Sequence, residues 1–312
     1  MINVKQNIPL APLSTFKIGG MAKFFIEARD KDELLEAVEW AHEKKEKIFI
    51  LAGGSNVLIN DNGVDGLVIK IKNQKSKIKN QKLECGAGLE LAKAVKAADD
   101  NGLTGLEWAA GIPGTIGGAV RGNAGAFGSS IGDSVKEVEF FDPVKMEFGK
   151  LDNKACVFGY RESIFKKDNG LKIIWRVCLN LKMGSGKKIK EKMREYVKRR
   201  AVSQPKAPSA GSFFENLTLA NLREFNAKLA SAAEEEGKIK KGMVAAGWVI
   251  EKLGLKGKTI GGAKISDEHA NFIINAGKAT AGDVIMLVSY IKQQARDKFG
   301  VQLKEEIRYM GF

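Results

Sequence analysis

Histidine is nearly absent from this chain: its 312 residues include two, His42 and His269. A serine that needed an imidazole to become a nucleophile would have little to draw on. Cysteine is also scarce, and Cys85, Cys156 and Cys178 form an odd, widely spaced set. They offer neither a disulfide framework nor a C-x-x-C metal motif, so reduced, mostly buried thiols in the cytoplasm are expected. No apolar run approaches the roughly 20 residues that span a bilayer; pieces such as "IFILA" and "FFIEA" are the longest. The opening residues, "MINVKQNIPLAPLSTF", carry no apolar signal core, so neither membrane insertion nor export is expected. Two fingerprints are missing as well. G-x-G-x-x-G does not occur between a strand and a helix, which argues against a Rossmann dinucleotide fold. G-x-S-x-G does not occur, which leaves a serine hydrolase the least supported class.

What is present is an ordinary globular composition, 44% apolar and 28% charged, in a chain long enough for two or three domains. The formal charge of +14 fits a nucleic-acid binder or a protein that attracts small polyanions such as nucleotides. Part of it comes from "KIKNQKSKIKNQK" (residues 70–82), where Lys-Asn-Gln-Lys occurs twice. Lysines alternating along a strand, a turn and a second strand guard a sheet edge against association. Nucleic acid is therefore not expected as a partner.

Periodicity assigns strands to "KFFIEA" (23–28), a buried "IFILA" (48–52), "LVIKI" (67–71), "VKEVEFF" (135–141), "KIIWRVCLNL" (172–181), "NFIIN" (271–275) and the closing "VQLKEEIRYMG" (301–311). Helices are expected over "RDKDELLEAVEWAHEKK" (29–45), with Leu34, Val38 and Ala41 inward and an Asp30/Glu33 capping box, and over "ELAKAVKAADDNG" (90–102). Two more fall on "MVAAGWVIEKLG" (243–254) and "AGDVIMLVSYIKQQARDKFG" (281–300). "KKIKEKMREYVKRRAVSQPKAP" (187–208) reads as a basic helix running into a Pro-rich linker, with a domain boundary near residue 205. The pattern is α+β, without a regular βαβ alternation.

Three stretches look placed for binding or chemistry. In "LAGGSNVLI" (51–59), small residues directly after a strand let backbone N–H groups converge on an anion. In "AGIPGTIGGAVRGNAGAFG" (110–128), the backbone can pass close to a flat or diphosphate-bearing ligand. In "PSAGSFFENL" (208–217), Ser212 sits on a small-residue turn beside two phenylalanines. Taken singly, each glycine reads as a turn, Ser212 as a turn serine and Arg161 as a strand-end residue. Two glycine clusters on a strand-rich scaffold favour a cofactor.

The motifs "STFKIGG" (14–20), "LAGGSNVLI", "GIPGTIGGAVRGNAGAFG", "YRESIFK" (160–166), "AGSFFEN" (210–216), "GGAKISDEHANFIIN" (261–275) and "LKEEIRYMG" (303–311) follow in order. Together they closely resemble the UDP-N-acetylenolpyruvoylglucosamine reductases, flavoproteins that complete UDP-N-acetylmuramate in bacterial cell-wall synthesis. The resemblance spans essentially the whole chain. It implies a two-lobed, vanillyl-alcohol-oxidase-like (PCMH-type) FAD-binding region over residues 1–182. A basic helix and linker over 183–207 and an α+β substrate-binding domain over 208–312 would follow. It implies FAD as cofactor, NADPH as co-substrate and a UDP-sugar enolpyruvyl ether as substrate.

By the same resemblance, hydride would pass from reduced flavin N5 to the CH2 carbon, and Ser212 would hand a proton to the neighbouring carbanion. A hydroxyl can serve such a strongly basic acceptor without a histidine. Arg161 would offset the charge developing beside the substrate carboxylate, and Glu306 matches the family's catalytic glutamate. Alternation puts Glu305 and Glu306 on opposite strand faces, and the family match selects Glu306. Tyr160, Asn216 and His269 match positions near the substrate, although a structural, hydrogen-bonded His269 is an equal reading. Gly53, Gly54, Ser55, Asn56, Gly114, Thr115, Gly118, Ala119 and Gly125 match the FAD contacts, mostly through backbone amides. No metal is implied. Nothing in the residues sets the oligomeric state, and a monomer is taken as the expectation.

Some residues depart from the pattern. Arg161 and Ser212 are 51 positions apart (212 − 161), too few for the tyrosine-loop insertion of the long family form, so this resembles the short form. Glu215 stands where the family commonly has lysine, Leu217 where it has proline, and Lys304 where it often has an acid. Lys206 or the "KRR" cluster at 198–200 could compensate at the diphosphate. Another FAD oxidoreductase with a different substrate is the same-class alternative. A nucleic-acid binder leaves the glycine clusters unexplained.

Overall fold

The computed structural model describes residues 2–167 and 172–312. The chain forms two compact units that interleave in sequence. One comprises Met1–Ile8, Ala22–Gly53 and Asp65–Val202; the other comprises Pro9–Met21, Gly54–Val64 and Ser203–Phe312. Each has its own apolar core.

In the first unit, strand Lys5–Pro9 neighbours strand Met21–Ala28, which leads into helix Lys31–Glu43. The helix starts where Asp30 accepts the Glu33 N–H at 2.9 Å. Glu33 in turn takes the Arg29 N–H at 2.7 Å, one residue before the partner a capping box would use. Leu34, Ala37, Val38 and Ala41 are its buried stripe. Strand Ile48–Leu51 runs parallel to Val64–Ile71. It lies at the end of its four-stranded sheet, so only Leu51 is fully buried, less than the expected buried strand.

A five-stranded antiparallel sheet carries most of this core, in the order Glu147–Asp152, Val135–Asp142, Ile173–Asn180, Lys82–Gly86, Ser76–Lys79. The lysine-rich repeat forms the hairpin at its rim. Asn80 and Gln81 turn it with φ of 48° and 65°, as a two-residue hairpin of matching twist requires. Strand Glu147–Asp152 escapes sequence detection because "EFGKLD" has too little apolar character to alternate visibly. The basic helix runs Gly186–Ser203 and buries only Ile189 fully.

In the second unit, a four-stranded antiparallel sheet orders Ser209–Ser212, Phe272–Asn275, Ala263–Ile265 and Thr259–Ile260. Helix Ala281–Phe299 buries Val284, Leu287, Val288, Ile291 and Ala295. Its start is capped twice. Thr280 and Asp283 form a capping box, and the Asp61 carboxylate takes the N–H groups of Ala281 and Gly282 at 2.9 and 3.1 Å. Gly20 packs so closely that a Cβ would lie 2.2 Å from the Asp61 carbonyl oxygen, and Phe16 and Ile18 of the same motif enter the core.

Two expected elements are shorter here. Met243 and Val244 form a strand, and the helix begins only at Ala246. At the C-terminus Arg308–Met310 is the strand, parallel to Val57–Ile59. Residues before it divide their hydrogen bonds between Phe213–Glu215 and Asn56, so no single ladder runs from 301 to 311.

Candidate active site

The two glycine-rich stretches meet in the first unit. A Cβ on Gly53 would lie 2.7 Å from Gly114 Cα and 3.2 Å from Thr115 N, so backbone packs on backbone. Thr115 then caps the short helix Ile116–Arg121 by accepting the Gly118 N–H. The N–H groups of Gly53, Gly114 and Thr115 donate to no acceptor among the described residues. Such a set of uncommitted amides suits a diphosphate. Gly118 is half-buried beside Ala52, whereas Ala119 lies in the core. Gly125 belongs to a tight hairpin, where a Cβ would come 2.6 Å from the Ser129 carbonyl oxygen, so its own fold already requires glycine.

Gly54, Ser55 and Asn56 continue the turn into the second unit, and their amides also find no acceptor among the described residues. Gly54 is left-handed at φ 65°, and its carbonyl accepts the Thr15 N–H at 3.0 Å. Thr15 Oγ1 donates onward to the Ser209 carbonyl at 2.7 Å. Asn56 Nδ2 donates to the Glu306 carbonyl at 3.2 Å, and Asn56 O accepts the Arg308 N–H at 3.1 Å.

Arg161 stands in the first unit on a small hairpin closed by the Gly159–Glu162 bridge. Its φ is 57°, a conformation costing a non-glycine residue about 1–2 kcal/mol. The hairpin is held from several sides. Asn123 Nδ2 donates to Gly159 O at 2.7 Å, Ser163 Oγ to Arg121 O at 2.6 Å and Lys166 Nζ to Arg161 O at 2.9 Å. Asn123 and Arg121 lie in the long glycine-rich stretch, so the structure ties the "YRES" motif to it. Tyr160 is exposed, with the Arg161 guanidinium 5.3 Å from its ring centre.

Ser212 lies in the second unit at the end of strand Ser209–Ser212. The pairs Ser209–Ile274 and Ser212–Phe272 leave one extra residue on the serine strand, a bulge with Gly211 at φ 82°. Bulges re-aim the side chain that follows. Beyond it the strand is clamped on both edges. Phe213 N–H donates to Asn271 O at 2.7 Å, while buried Asn271 takes the Phe214 N–H at 2.9 Å and returns a bond to Phe214 O at 2.9 Å. On the other edge Glu306 N–H donates to Phe213 O at 2.8 Å. That bond pairs the segment carrying Glu306 with the one carrying Ser212, and the Ser212 hydroxyl has no hydrogen-bond partner among the described residues. Glu305, the neighbouring acid, is instead paired with Lys292 at 2.9 Å.

Asn216 Oδ1 accepts the Ala246 N–H at 3.2 Å, capping a helix whose own N-cap, Ala245, has no side-chain acceptor. His269 Nδ1 accepts the Asn271 N–H at 3.2 Å, and burial holds its imidazole below the ordinary range. Both therefore have structural duties in the second unit. In the basic cluster, Arg199 pairs with Glu195 at 2.6 Å. Arg200 donates to the carbonyls of Ala110 and Trp108 at 3.1 and 3.2 Å. Asn271 and Asn123 were not singled out from sequence as site residues, and Arg200 was named only within the KRR cluster at the diphosphate. Asn271, a polar residue opening the apolar "NFIIN", is the one with a visible signal.

Among the described residues no three His, Cys, Asp or Glu side chains gather as metal ligands would, and no helix is long and apolar enough to cross a membrane. The sequence model of the FAD binding domain matches residues 22–144, the segment in which Gly53, Gly114 and Thr115 present their free amides. The protein is thus a flavoprotein with an α+β, FAD-binding fold. The model described as UDP-N-acetylenolpyruvoylglucosamine reductase, C-terminal domain, matches residues 204–310. Proteins named UDP-N-acetylenolpyruvoylglucosamine reductase match nearly end to end. That of Solibacter usitatus is 35% identical over 309 residues, 99% of this chain and 97% of its own. That of Caldanaerobacter subterraneus is 37% identical over 98% of this chain and 93% of its own. The crystal structure of the Thermus caldophilus reductase superposes with a TM-score of 0.79 at 31% identity, covering 99% of this chain and all of that one. The chain belongs to the UDP-N-acetylenolpyruvoylglucosamine reductase family.

Proposed function

We propose that this protein reduces UDP-N-acetylglucosamine enolpyruvate to UDP-N-acetylmuramate with NADPH, in bacterial peptidoglycan precursor synthesis in the cytoplasm, and that it acts as a monomer. FAD, when bound, would supply the hydride chemistry that links NADPH to the substrate's CH2 carbon. The amides of Gly53, Gly54, Ser55, Asn56, Gly114 and Thr115, with Gly118, Ala119 and Gly125, would hold that cofactor. Residues 1–182 would form the FAD-binding region, and 208–312 the substrate-binding domain beyond the linker at 183–207.

Hydride arrival leaves negative charge on the carbon beside the substrate carboxylate. Ser212 Oγ–H supplies the proton there, and no base is needed because the acceptor is more basic than the alkoxide it leaves is costly. Arg161 stabilises the doubled negative charge at the carboxylate, where a fixed guanidinium is worth most. Glu306 joins Ser212 as the second catalytic group. Tyr160, Asn216 and His269 would line the UDP-sugar, the last two through whatever donor capacity their structural bonds leave.

The reading is supported above all by Ser212, whose hydroxyl has no partner among the described residues and sits on a bulge whose next residue is bonded to Glu306. In stopped-flow experiments Ser212→Ala should bind FAD and be reduced by NADPH at the wild-type rate. Reoxidation by the enolpyruvyl sugar should slow by about 10²–10⁴-fold, the usual worth of a positioned general acid. Reoxidation at the wild-type rate would remove Ser212 from the chemistry.

A further inference from the structure

Glu215 and Lys304 face each other across the pairing that carries Ser212 and Glu306. The Glu215 N–H donates to Lys304 O at 2.8 Å, and Lys304 Nζ lies 3.0 Å from Glu215 Oε2. The Glu215 side chain is 11% exposed and that of Lys304 67%. A carboxylate set that deep is costly unless a cation touches it, and Lys304 is one cation that does. The backbone pairing itself is slight: one bridge, Phe214 to Glu305, with one hydrogen bond on either side. A pairing this short resists slippage weakly. Side chains therefore do much of the locking, through Glu215–Lys304 on one side and Lys292–Glu305, which ties the segment to helix Ala281–Phe299, on the other.

We propose that the Glu215–Lys304 ion pair is a positioning pair, which sets Ser212 against Glu306 for proton delivery and touches neither substrate nor cofactor. The proposal rests on the roles given above to Ser212 and Glu306.

The test is charge reversal in the FAD-loaded enzyme: Glu215→Lys, Lys304→Glu and the double variant, with Glu215→Gln as a milder check should a reversal impair folding. NADPH-driven flavin reduction and flavin content should match wild type in all. Each single reversal should slow reoxidation by the enolpyruvyl sugar about tenfold or more, since small misplacements of a reacting group carry large rate losses. KM should hold within about twofold, and the solvent deuterium isotope effect should rise as proton delivery becomes limiting. The double reversal should recover to within about threefold of wild type. A double variant no faster than the slower single, a rise in KM in place of the fall in kcat, or singles at the wild-type rate would each overturn the positioning role. A wild-type enzyme that NADPH reduces but the enolpyruvyl sugar fails to reoxidise would overturn the functional reading as well, a result separable from any behaviour of the variants.

Discussion

Gly211 concentrates the demands made on a single residue. A Cβ there would meet nothing within 4 Å, so Gly211→Ala adds no clash and carries only the strain of φ 82°, about 1–2 kcal/mol. The melting temperature should fall by a few degrees, and reoxidation by substrate should slow while FAD affinity holds. Full activity in this variant would mean that the bulge does not aim Ser212. The thiols contrast with this site. Burial raises Cys85 to about 12 and Cys156 to about 11, so both are inert side chains of the first core. Ser212 stands out in the sequence because motif context surrounds it. The contacts that Asn271 and Lys304 make cannot be read there, because their partners Phe214 and Glu215 lie 57 and 89 residues away in the chain.

Helix Gly186–Ser203 looked from its sequence like a solvated charged face, and most of it is exposed. Its C-terminal half nevertheless grips the glycine-rich loop. Arg200 bonds the carbonyls of Ala110, at the start of that loop, and of Trp108, just before it, its guanidinium lies 5.0 Å from the Phe127 ring centre, and Phe127 stacks on Tyr196 at 4.2 Å. Gly111, at φ 79°, leaves room for the Arg200 side chain. Arg200→Ala should lower stability by about 2 kcal/mol, from two charge-assisted hydrogen bonds lost. It should weaken FAD binding about tenfold, a penalty of about 1.4 kcal/mol, measured by flavin fluorescence titration. Unchanged FAD affinity would show that the loop holds its shape without the helix. Long elements such as 31–43 and 281–299 could be read from periodicity. Two- and three-residue strands could not, because so few residues hold no period and are set by whatever backbone lies alongside.

The whole molecule has two cores and a chain that passes between them several times. Ligand binding to the folded form alone stabilises it by mass action. At free FAD a hundredfold above its dissociation constant the gain is about 2.7 kcal/mol, which calorimetry should register as melting several degrees higher than in the FAD-free protein. An unshifted transition would mean that FAD is not held by the folded state.

The residue order alone settled the α+β class, the long helices, the lysine-guarded sheet rim and the family, since these depend on local periodicity and contiguous motifs. Folding settled which stretches share a core, how Gly53 meets Gly114 and which side chains hold Ser212 in register. Those outcomes depend on packing between segments distant in sequence, where complementary surfaces and hydrogen-bond partners exist only once both segments are in place.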